Sequence, residues 1–241
     1  MGMIGQPQHI KAARGDVAER AVVAGDPARV VQLSRMLEGA RLVNENRGFL
    51  TYTGYFNGTP ITVSCHGVGG PSSAIVFEEL VMLGAKAIVR LGTTGAFLRH
   101  MKVGEVVIPT GAAYLGGALA QYIPDAHITP VPSFDVTCEL VNAAKEEGLT
   151  YHIGPVFSSD AFYAEDPEFV KKWSGKGYVS VEMECATIFG LGMLRGVKTG
   201  AMLLISDNLA EMTPMVDAEY LKPYVEKAGR AVLKALLRIK L

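Results

Sequence analysis

Two arginines stand beside glycine turns in this chain, and each could bind an anion. In Gly25-Asp26-Pro27-Ala28-Arg29, a glycine follows an apolar run and leads into a predicted helix, with Asp26 as its cap and Pro27 in its first turn. Free N–H groups and the helix dipole favour an anion there, and Arg29 could add a bidentate contact to phosphate. The alternative is an ordinary capped helix with a surface arginine.

Arg90 lies inside the apolar run Ala87-Ile88-Val89-Arg90-Leu91, and arginine is rarely buried without a partner. Thr93, Thr94 and their flanking glycines then supply hydroxyls and accessible backbone N–H groups. An anion site explains this pattern, and a structural ion pair with a carboxylate explains it equally well.

Three carboxylates follow predicted strands. In Val181-Glu182-Met183-Glu184, one carboxylate could accept hydrogen bonds from both hydroxyls of a ribose cis-diol, or the acids could simply decorate a helix N-terminus. Asp207 follows the apolar run 201–205 and Ser206, so we expect it to be partly buried. Burial raises a carboxyl pKa, as a general acid requires. The alternative for Asp207 is a helix cap or a turn.

The segment 67–73 partly matches two glycine motifs and completes neither. Ser72 takes the third glycine position of GxGxxG, and the last glycine of GxSxG is missing, so we predict a structural strand-to-helix turn. The five histidines never recur at metal-ligand spacing, and HExxH is absent. We therefore expect no bound metal.

Composition excludes several classes of function. The 241 residues, 49% of them hydrophobic, suit one large domain over 1–241, and 23 Lys and Arg against 24 Asp and Glu leave no basic excess for nucleic acid. No apolar run reaches the length of a membrane span, and residues 1–20 contain no apolar signal core. The three separated cysteines favour a reducing compartment. We expect a cytoplasmic protein with no nucleic-acid or membrane partner.

Short apolar runs alternate with helical patterns, which predicts an α/β fold. Asn57-Gly58 predicts a hairpin between 49–56 and 61–64, and the Gly- and Pro-rich stretch 111–132 predicts irregular structure. Because ligands bind beyond the carboxyl ends of strands in open α/β sheets, we expect four polar or Gly-rich strand ends to converge on one cleft. These strand ends are residues 25–26, 90–95, 182–184 and 206–207. Besides the two strands of the hairpin, the predicted strands are 21–24, 87–91, 103–109, 178–183 and 201–205.

Six motifs of this chain form a recognisable series in their joint order. They are Gly25-Asp26-Pro27 with Arg29, Asn46-Arg47-Gly48, Arg90-Leu91-Gly92-Thr93-Thr94-Gly95, Ser159-Asp160-Ala161-Phe162-Tyr163, Val181-Glu182-Met183-Glu184 and Ser206-Asp207. Together they resemble the nucleoside phosphorylase family that includes hexameric purine nucleoside phosphorylase and uridine phosphorylase. The resemblance covers nearly the whole chain, from about His9 to the final helix. Residues 44–49 and 181–187 are most similar to the archaeal branch, which is associated with purine nucleosides and 5′-methylthioadenosine.

The resemblance implies a role for each matching residue. Inorganic phosphate is a co-substrate and no cofactor is needed. The implied fold is a mixed central sheet, partly barrel-like, surrounded by helices, and the implied assembly is a homohexamer of three dimers with shared active sites. Asp207 would protonate purine N7. Phosphate would be bound by Gly25, Arg29, Arg90, Thr93 and a neighbouring subunit's Arg47. The ribose would be bound by Met183, Glu184 and a neighbour's His9, and the base by Phe162, Val181, Glu182 and Ser206.

One departure from the family concerns the acid. Bacterial hexameric purine enzymes carry an arginine after the Ser-Asp pair, and residues 208–220 here contain no Arg or Lys.

A uridine phosphorylase is the first alternative, but Asp207 and the absence of Gln and Arg at 164–167 argue against it. A nucleosidase that uses water is the second alternative, but Arg29, Arg47 and Arg90 would then have no anion to bind. A nucleoside-binding protein without turnover is the alternative from another class, and a hydrolase built on Ser72 is the remotest.

Overall fold

A nine-stranded mixed sheet forms the centre of the described molecule. A computed structural model describes residues 6–164 and 166–241. The strands are β1 (Arg20–Ala24), β2 (Glu38–Asn44), β3 (Thr51–Phe56), β4 (Thr59–Cys65), β5 (Ala87–Ala96), β6 (Val106–Tyr114), β7 (Tyr151–Ser158), β8 (Ser180–Glu182) and β9 (Lys198–Asn208). The helices are α1 (Pro27–Ser34), α2 (Gly70–Leu83), α3 (Gly117–Tyr122), α4 (Phe134–Glu146), α5 (Pro167–Ser174), α6 (Cys185–Arg195) and α7 (Ala218–Arg238).

The sheet closes on itself along part of its width. Its strand order is β2-β3-β4-β1-β5-β8-β7-β6-β9, and β5 also pairs with β9. This extra pairing joins β5, β8, β7, β6 and β9 into a ring, because the strand at the edge of the sheet bonds back to a central one. The predicted fold class, a mixed sheet that is partly barrel-like and surrounded by helices, is confirmed.

Local sequence signals account for several of these elements. Asn57 and Gly58 join β3 to β4 with φ angles of 47° and 74°, the pair of positive angles that a type I′ hairpin turn needs. Asp26 caps α1 by accepting a hydrogen bond from Ala28 N at 2.8 Å, and Asp166 caps α5 from Phe169 N at 2.8 Å. The segment 67–73 forms the predicted turn between β4 and α2.

Some predicted boundaries were wrong. β5 continues to Ala96, because parallel pairing with β9 extends through the Gly-Thr-Thr-Gly segment rather than stopping before it. β9 likewise continues through Ser206 and Asp207. The stretch 111–132 is only partly irregular, since it contains the end of β6 and all of α3. Tertiary pairing overrides local composition in these segments.

The core lies on both faces of the sheet. In β1, Val22 and Ala24 pack against one helical layer, which includes α1, α4 and α7, whereas Ala21 and Val23 pack against a second layer that includes α2 and α6. This alternation follows from the period of two in a β-strand, and it requires a strand that is apolar on both faces. The helices therefore pack against both faces of β1 and β5, and this packing fixes the positions of the carboxyl ends of these strands.

Arg20 links the beginning of β1 to the end of α7. Its Nε donates to Leu236 O at 2.9 Å, and its Nη2 donates to Ile239 O at 3.0 Å, so the cation binds carbonyls at the helix C-terminus. We expect Arg20→Met to lower the free energy of unfolding by about 2 kcal/mol, since hydrogen bonds to charged groups contribute roughly this much. Denaturant titration measures it. Arg35→Met, at an exposed arginine, is the control, and equal losses in both variants would contradict the role of Arg20.

Candidate active site

A cleft of about 720 Å³ opens where β1, β5, β8 and β9 approach one another. The predicted convergence of four polar strand ends is confirmed, because each contributes to the wall of this one cavity. Two further segments contribute to its wall: Phe162 and Tyr163, which follow β7, and the loop after β9 with Leu209, Thr213 and Met215. The residues that line the cleft are Gly25, Asp26, Pro27, Arg29, Val68, Arg90, Thr93, Thr94, Gly95, Phe162, Tyr163, Val181, Glu182, Met183, Glu184, Ser206, Asp207, Leu209, Thr213 and Met215.

Arg29 is a buried cation in this wall, not a surface arginine. It is 8% exposed, and Nη1 donates to Leu91 O at 3.3 Å. In the described part of the chain its Nε is buried without a hydrogen-bond partner, and no carboxylate forms a salt bridge with it. Burial and the nearby charge of Arg90 lower the pKa of Arg29 to about 10, although Asp26 and Glu184 oppose the shift. Arg29 therefore has donor capacity and charge available for an anion.

Arg90 is held by two carboxylates and a histidine. Its Nε lies 3.3 Å from Glu182 Oε2, its Nη2 lies 2.5 Å from Glu184 Oε2, and its Nη1 lies 3.2 Å from His66 Nε2. Burial alone would lower the pKa of Arg90, but Glu184 and Glu182 outweigh burial and raise it. The ion-pair interpretation of the sequence is confirmed, because Arg90 contacts two carboxylates. Arg90 also lines the cleft, and its binding of an anion stays a prediction.

The carboxylate of Glu182 is fully occupied by the protein. It accepts from Ser158 Oγ at 2.5 Å, from Glu184 N at 2.8 Å and from Cys185 N at 2.9 and 3.0 Å, in addition to Arg90. These backbone donors belong to the first turn of α6, so Glu182 acts as a helix cap. Glu182 lies at the cleft, as the sequence indicated, but its side chain has no exposed surface and no free oxygen for a base.

Glu184 keeps acceptor capacity. Its Oε1 accepts from Gly69 N at 2.6 Å and its Oε2 pairs with Arg90, so each oxygen has one protein partner and can accept another hydrogen bond. Met183 lies beside it in the cleft wall. This arrangement is compatible with the predicted binding of ribose hydroxyls, which stays a prediction.

Asp207 is half-buried in β9, opposite Gly95 near the carboxyl end of β5. The pairing of β5 with β9 shifts register after Thr94 and Ile205, so Ser206 is the extra residue of a bulge and Asp207 pairs with Gly95. Ser206 Oγ donates to Asp207 Oδ1 at 2.7 Å, and burial raises the pKa of Asp207 despite that bond. Asp207 stands inside a strand, so the helix-cap alternative is wrong. A partly buried carboxyl with a raised pKa is able to donate a proton.

Glycines make room for these groups. A Cβ on Gly25 would lie 2.8 Å from Gly67 O, and a Cβ on Gly95 would lie 3.2 Å from Asp207 Oδ2. Thr93, Phe162, Val181 and Ser206 also line the cleft, and Val181 pairs with Gly95, the residue that Asp207 pairs with on the other side. The structure therefore brings together all of the predicted site residues that come from strand ends.

Two predicted site residues lie elsewhere. His9 and Arg47 do not line this chain's own cleft, but they are close to each other, because Asn46 Nδ2 donates to His9 O at 2.8 Å. Glu79 Oε1 accepts from His9 Nδ1 at 2.7 Å and fixes the ring. Arg47 is exposed and has a φ of 57°, within the left-handed region. His9 and Arg47 therefore belong to one surface patch, and neither of them lines the cleft of this chain.

Sequence reasoning missed His66, which directly follows β4 and contacts Arg90. A polar residue after a predicted strand was an available signal, similar to the one that identified Asp207, although this strand alternates apolar and polar residues. It also missed Thr213 and Met215, whose loop carries no such signal. Within residues 6–164 and 166–241, no group of three or more metal-ligating side chains occurs, and no described helix is long and apolar enough to cross a membrane.

The partly closed sheet and its cleft define a class of α/β protein in which buried arginines and a half-buried carboxyl of raised pKa line one cavity, so that the site can hold an anion and donate a proton. Comparisons with known proteins agree with this class. A sequence profile described as the phosphorylase superfamily matches residues 19–239. The chain therefore belongs to the phosphorylase superfamily, and it is a nucleoside phosphorylase.

Several curated relatives match over most of their length. A guanosine phosphorylase of Halorubrum lacusprofundi is 37% identical, with 97% of this chain and 99% of the relative covered. A uridine phosphorylase of Haemophilus influenzae is 34% identical, with 90% and 91% covered. A purine nucleoside phosphorylase DeoD-type of Xenorhabdus nematophila is 36% identical, with 83% and 85% covered. The relatives thus differ in the base they are named for.

Proposed function

We propose that this nucleoside phosphorylase acts on purine nucleosides, both ribonucleosides and deoxyribonucleosides, and releases the free base with ribose 1-phosphate or deoxyribose 1-phosphate. 5′-Methylthioadenosine is a further candidate substrate. The observation that carries the proposal is Asp207, a half-buried carboxyl of raised pKa in the cleft. A purine has a basic N7 that such an acid protonates, whereas a pyrimidine has no equivalent atom.

The proposed reaction uses both ends of the cleft. Phosphate binds near Arg29 and Arg90, and the base lies near Asp207 and Phe162. As the C1′–N9 bond breaks, its electron pair goes to the base, and N7 takes the proton from Asp207. A phosphate oxygen then bonds to C1′ on the opposite face of the sugar. The arginines hold that oxygen in position, which is catalysis by proximity and orientation.

Ser206 is the proposed partner of the acid in place of the missing arginine. Its Oγ lies 2.7 Å from Asp207 Oδ1 and 3.4 Å from Thr94 O, so it can bond either oxygen. A hydroxyl that donates to Asp207 stabilises the carboxylate left after proton transfer. Because the hydroxyl of Ser206 carries no charge, it stabilises the carboxylate less than an arginine would. A full positive charge at this position would favour the ionised form of Asp207 before the reaction.

The second candidate is a uridine phosphorylase, which the names of several relatives favour. Two observations favour purines instead. Asp207 offers a proton for which uracil has no N7, and the segment 164–167 has no Gln or Arg to bind the uracil edge.

We expect turnover of inosine or guanosine, in the presence of phosphate, to exceed turnover of uridine. The measurement compares inosine, guanosine, adenosine, 5′-methylthioadenosine and uridine, each with and without phosphate. Release of base at equal rates without phosphate would indicate hydrolysis, and a preference for uridine would overturn the purine assignment. Binding without any turnover would indicate a nucleoside-binding protein.

Self-association is part of this proposal. His9 and Arg47 do not line the cleft of their own chain, which supports a role for them in the cleft of another copy. A cleft with two arginines and two paired glutamates gains a further cation for phosphate from such a neighbour. The proposed assembly is a homohexamer of three dimers in the cytoplasm, with nucleoside and phosphate as its only ligands.

A further inference from the structure

We infer that His66 is a positioning residue that orients the Arg90 guanidinium toward phosphate while leaving its positive charge intact. The inference rests on the proposed phosphate site at Arg29 and Arg90. It adds to that site a buried neutral acceptor that does not itself line the cleft.

The backbone of His66 is rigidly placed. His66 N donates to Ala24 O at 2.9 Å, which extends the pairing of β4 with β1 by one residue. Ser72 Oγ donates to His66 O at 2.6 Å and ties it to the beginning of α2. The ring packs beneath the glycine turn, since a Cβ added to Gly25 would lie 3.6 Å from His66 Cε1. His66 is only 1% exposed, so the ring has no solvent-facing alternative.

The contact with Arg90 determines the state of the ring. Arg90 Nη1 can only donate, so His66 Nε2 must accept at 3.2 Å, and the ring is therefore neutral with its proton on Nδ1. Burial and the charges of Arg90 and Arg29 hold the pKa of His66 well below its usual range. Within the described residues, Nδ1 has no hydrogen-bond partner. The contact that fixes the tautomer of the ring is therefore the hydrogen bond from Arg90 Nη1 to Nε2.

Three side chains fix the guanidinium along its edge. Glu182 accepts from Nε, Glu184 from Nη2 and His66 from Nη1, and the remaining N–H bonds of the two Nη atoms are left for a ligand. The plane also rests against Gly92, where a Cβ would clash with Arg90 Nη1 and Nη2 at 2.6 Å. Without His66, Nη1 would have no protein partner, and the plane could turn about its bonds to the two glutamates.

The neutral state of the acceptor matters because of the local charge balance. Arg29 and Arg90 already face two carboxylates, those of Glu182 and Glu184. A third carboxylate on Nη1 would make the group negative and repel a phosphate dianion. An imidazole provides direction without that charge, which explains why a histidine is suited to this position.

Three variants separate orientation, charge and packing. In His66→Gln, the amide oxygen can take the place of Nε2. His66→Met has similar length without the acceptor, and His66→Glu has the shape of glutamine with a negative charge. We expect His66→Gln to be close to wild type. His66→Met should raise the phosphate KM about tenfold, the loss of one hydrogen bond to a charged group. His66→Glu should raise it roughly a hundredfold, because repulsion is added.

The readouts are the KM for phosphate, the KM for nucleoside, kcat, and the Kd of inorganic phosphate from calorimetric titration. We expect the phosphate constants to move while the nucleoside KM stays nearly unchanged. His127→Met, at an exposed histidine, is the matched control. Equal phosphate constants for His66→Gln and His66→Met, or for His66→Gln and His66→Glu, would overturn the inference. If His66→Met does not fold, the isosteric Gln and Glu pair still decides.

This experiment also separates two kinds of failure. Wild-type protein that turns over nucleoside without phosphate would refute the proposed function. Wild-type protein that depends on phosphate, combined with no difference among the three variants, would refute only the role of His66.

Discussion

Replacing Asp207 with asparagine is expected to reduce kcat/KM for inosine by about 10²- to 10⁴-fold, the usual contribution of general acid catalysis. Asparagine keeps the shape of the side chain and its bond with Ser206 but has no acidic proton to give. A nitrophenyl riboside, whose leaving group needs no proton, should lose much less activity. Steady-state rates of the two substrates provide the comparison, and equal losses would mean that Asp207 binds the substrate or supports the structure.

Dependence on pH checks the same assignment. Burial raises the pKa of Asp207, and the reactive form is the protonated one, so we expect kcat/KM to fall as pH rises through that raised pKa. The fall should be absent in Asp207→Asn. Stability has the same sign, because a raised pKa contributes stability below the unfolded value of 3.8 that is lost as pH rises through the folded value. The variant should therefore be at least as stable as wild type at neutral pH.

Asp217→Asn is the control for this substitution. Asp217 is exposed, and its Oδ1 caps α7 by accepting from Tyr220 N at 2.8 Å, so the same chemical change is made outside the cleft. We expect a small loss of stability and normal catalysis. A comparable loss of activity in both variants would show that the effect of Asp207→Asn is not specific to the acid.

Two inactive variants are expected to restore activity when they are combined. In the proposed assembly, Arg47→Ala would lack the cation given to a neighbour and Asp207→Asn would lack the acid of its own cleft, so each alone should be nearly inactive. After the two are unfolded, mixed and reassembled, some clefts have wild-type Asp207 and receive wild-type Arg47. Reciprocal exchange across a two-fold axis with random mixing should recover roughly a quarter of wild-type activity.

The structure supplies the reason for this expectation. Arg47 sits in a tight turn next to His9 and outside the lining of its own cleft. Each variant taken separately through the same unfolding and reassembly is the control and should stay inactive. If mass measurement confirms mixed assemblies and no activity returns, Arg47 acts within its own chain and the shared site is wrong.

The sequence by itself determined the elements whose causes are local. A helix cap such as Asp26, a proline in the first turn and an Asn-Gly hairpin each depend on a few neighbouring residues, so they can be recognised without the rest of the chain. Local context identified three residues of the cleft for the same reason: Arg29 follows a glycine turn at a helix start, Arg90 interrupts an apolar run, and Asp207 follows one. These signals predicted an α/β fold and most of the cleft, and the resemblance to nucleoside phosphorylases implied the mixed, partly barrel-like sheet.

Only the tertiary structure decided how the charged groups are paired. Arg90 contacts Glu182, Glu184 and His66, which are far from it in the sequence. The two glutamates come close because β5 pairs with β8. His66 comes close because β1 pairs with both β5 and β4, and His66 directly follows β4. Pairing with β9 extended β5 through a glycine-rich segment that composition alone marks as a turn. The bulge at Ser206 then directs Asp207 into the cleft. Register and closure are properties of the whole sheet, so no local pattern could specify them.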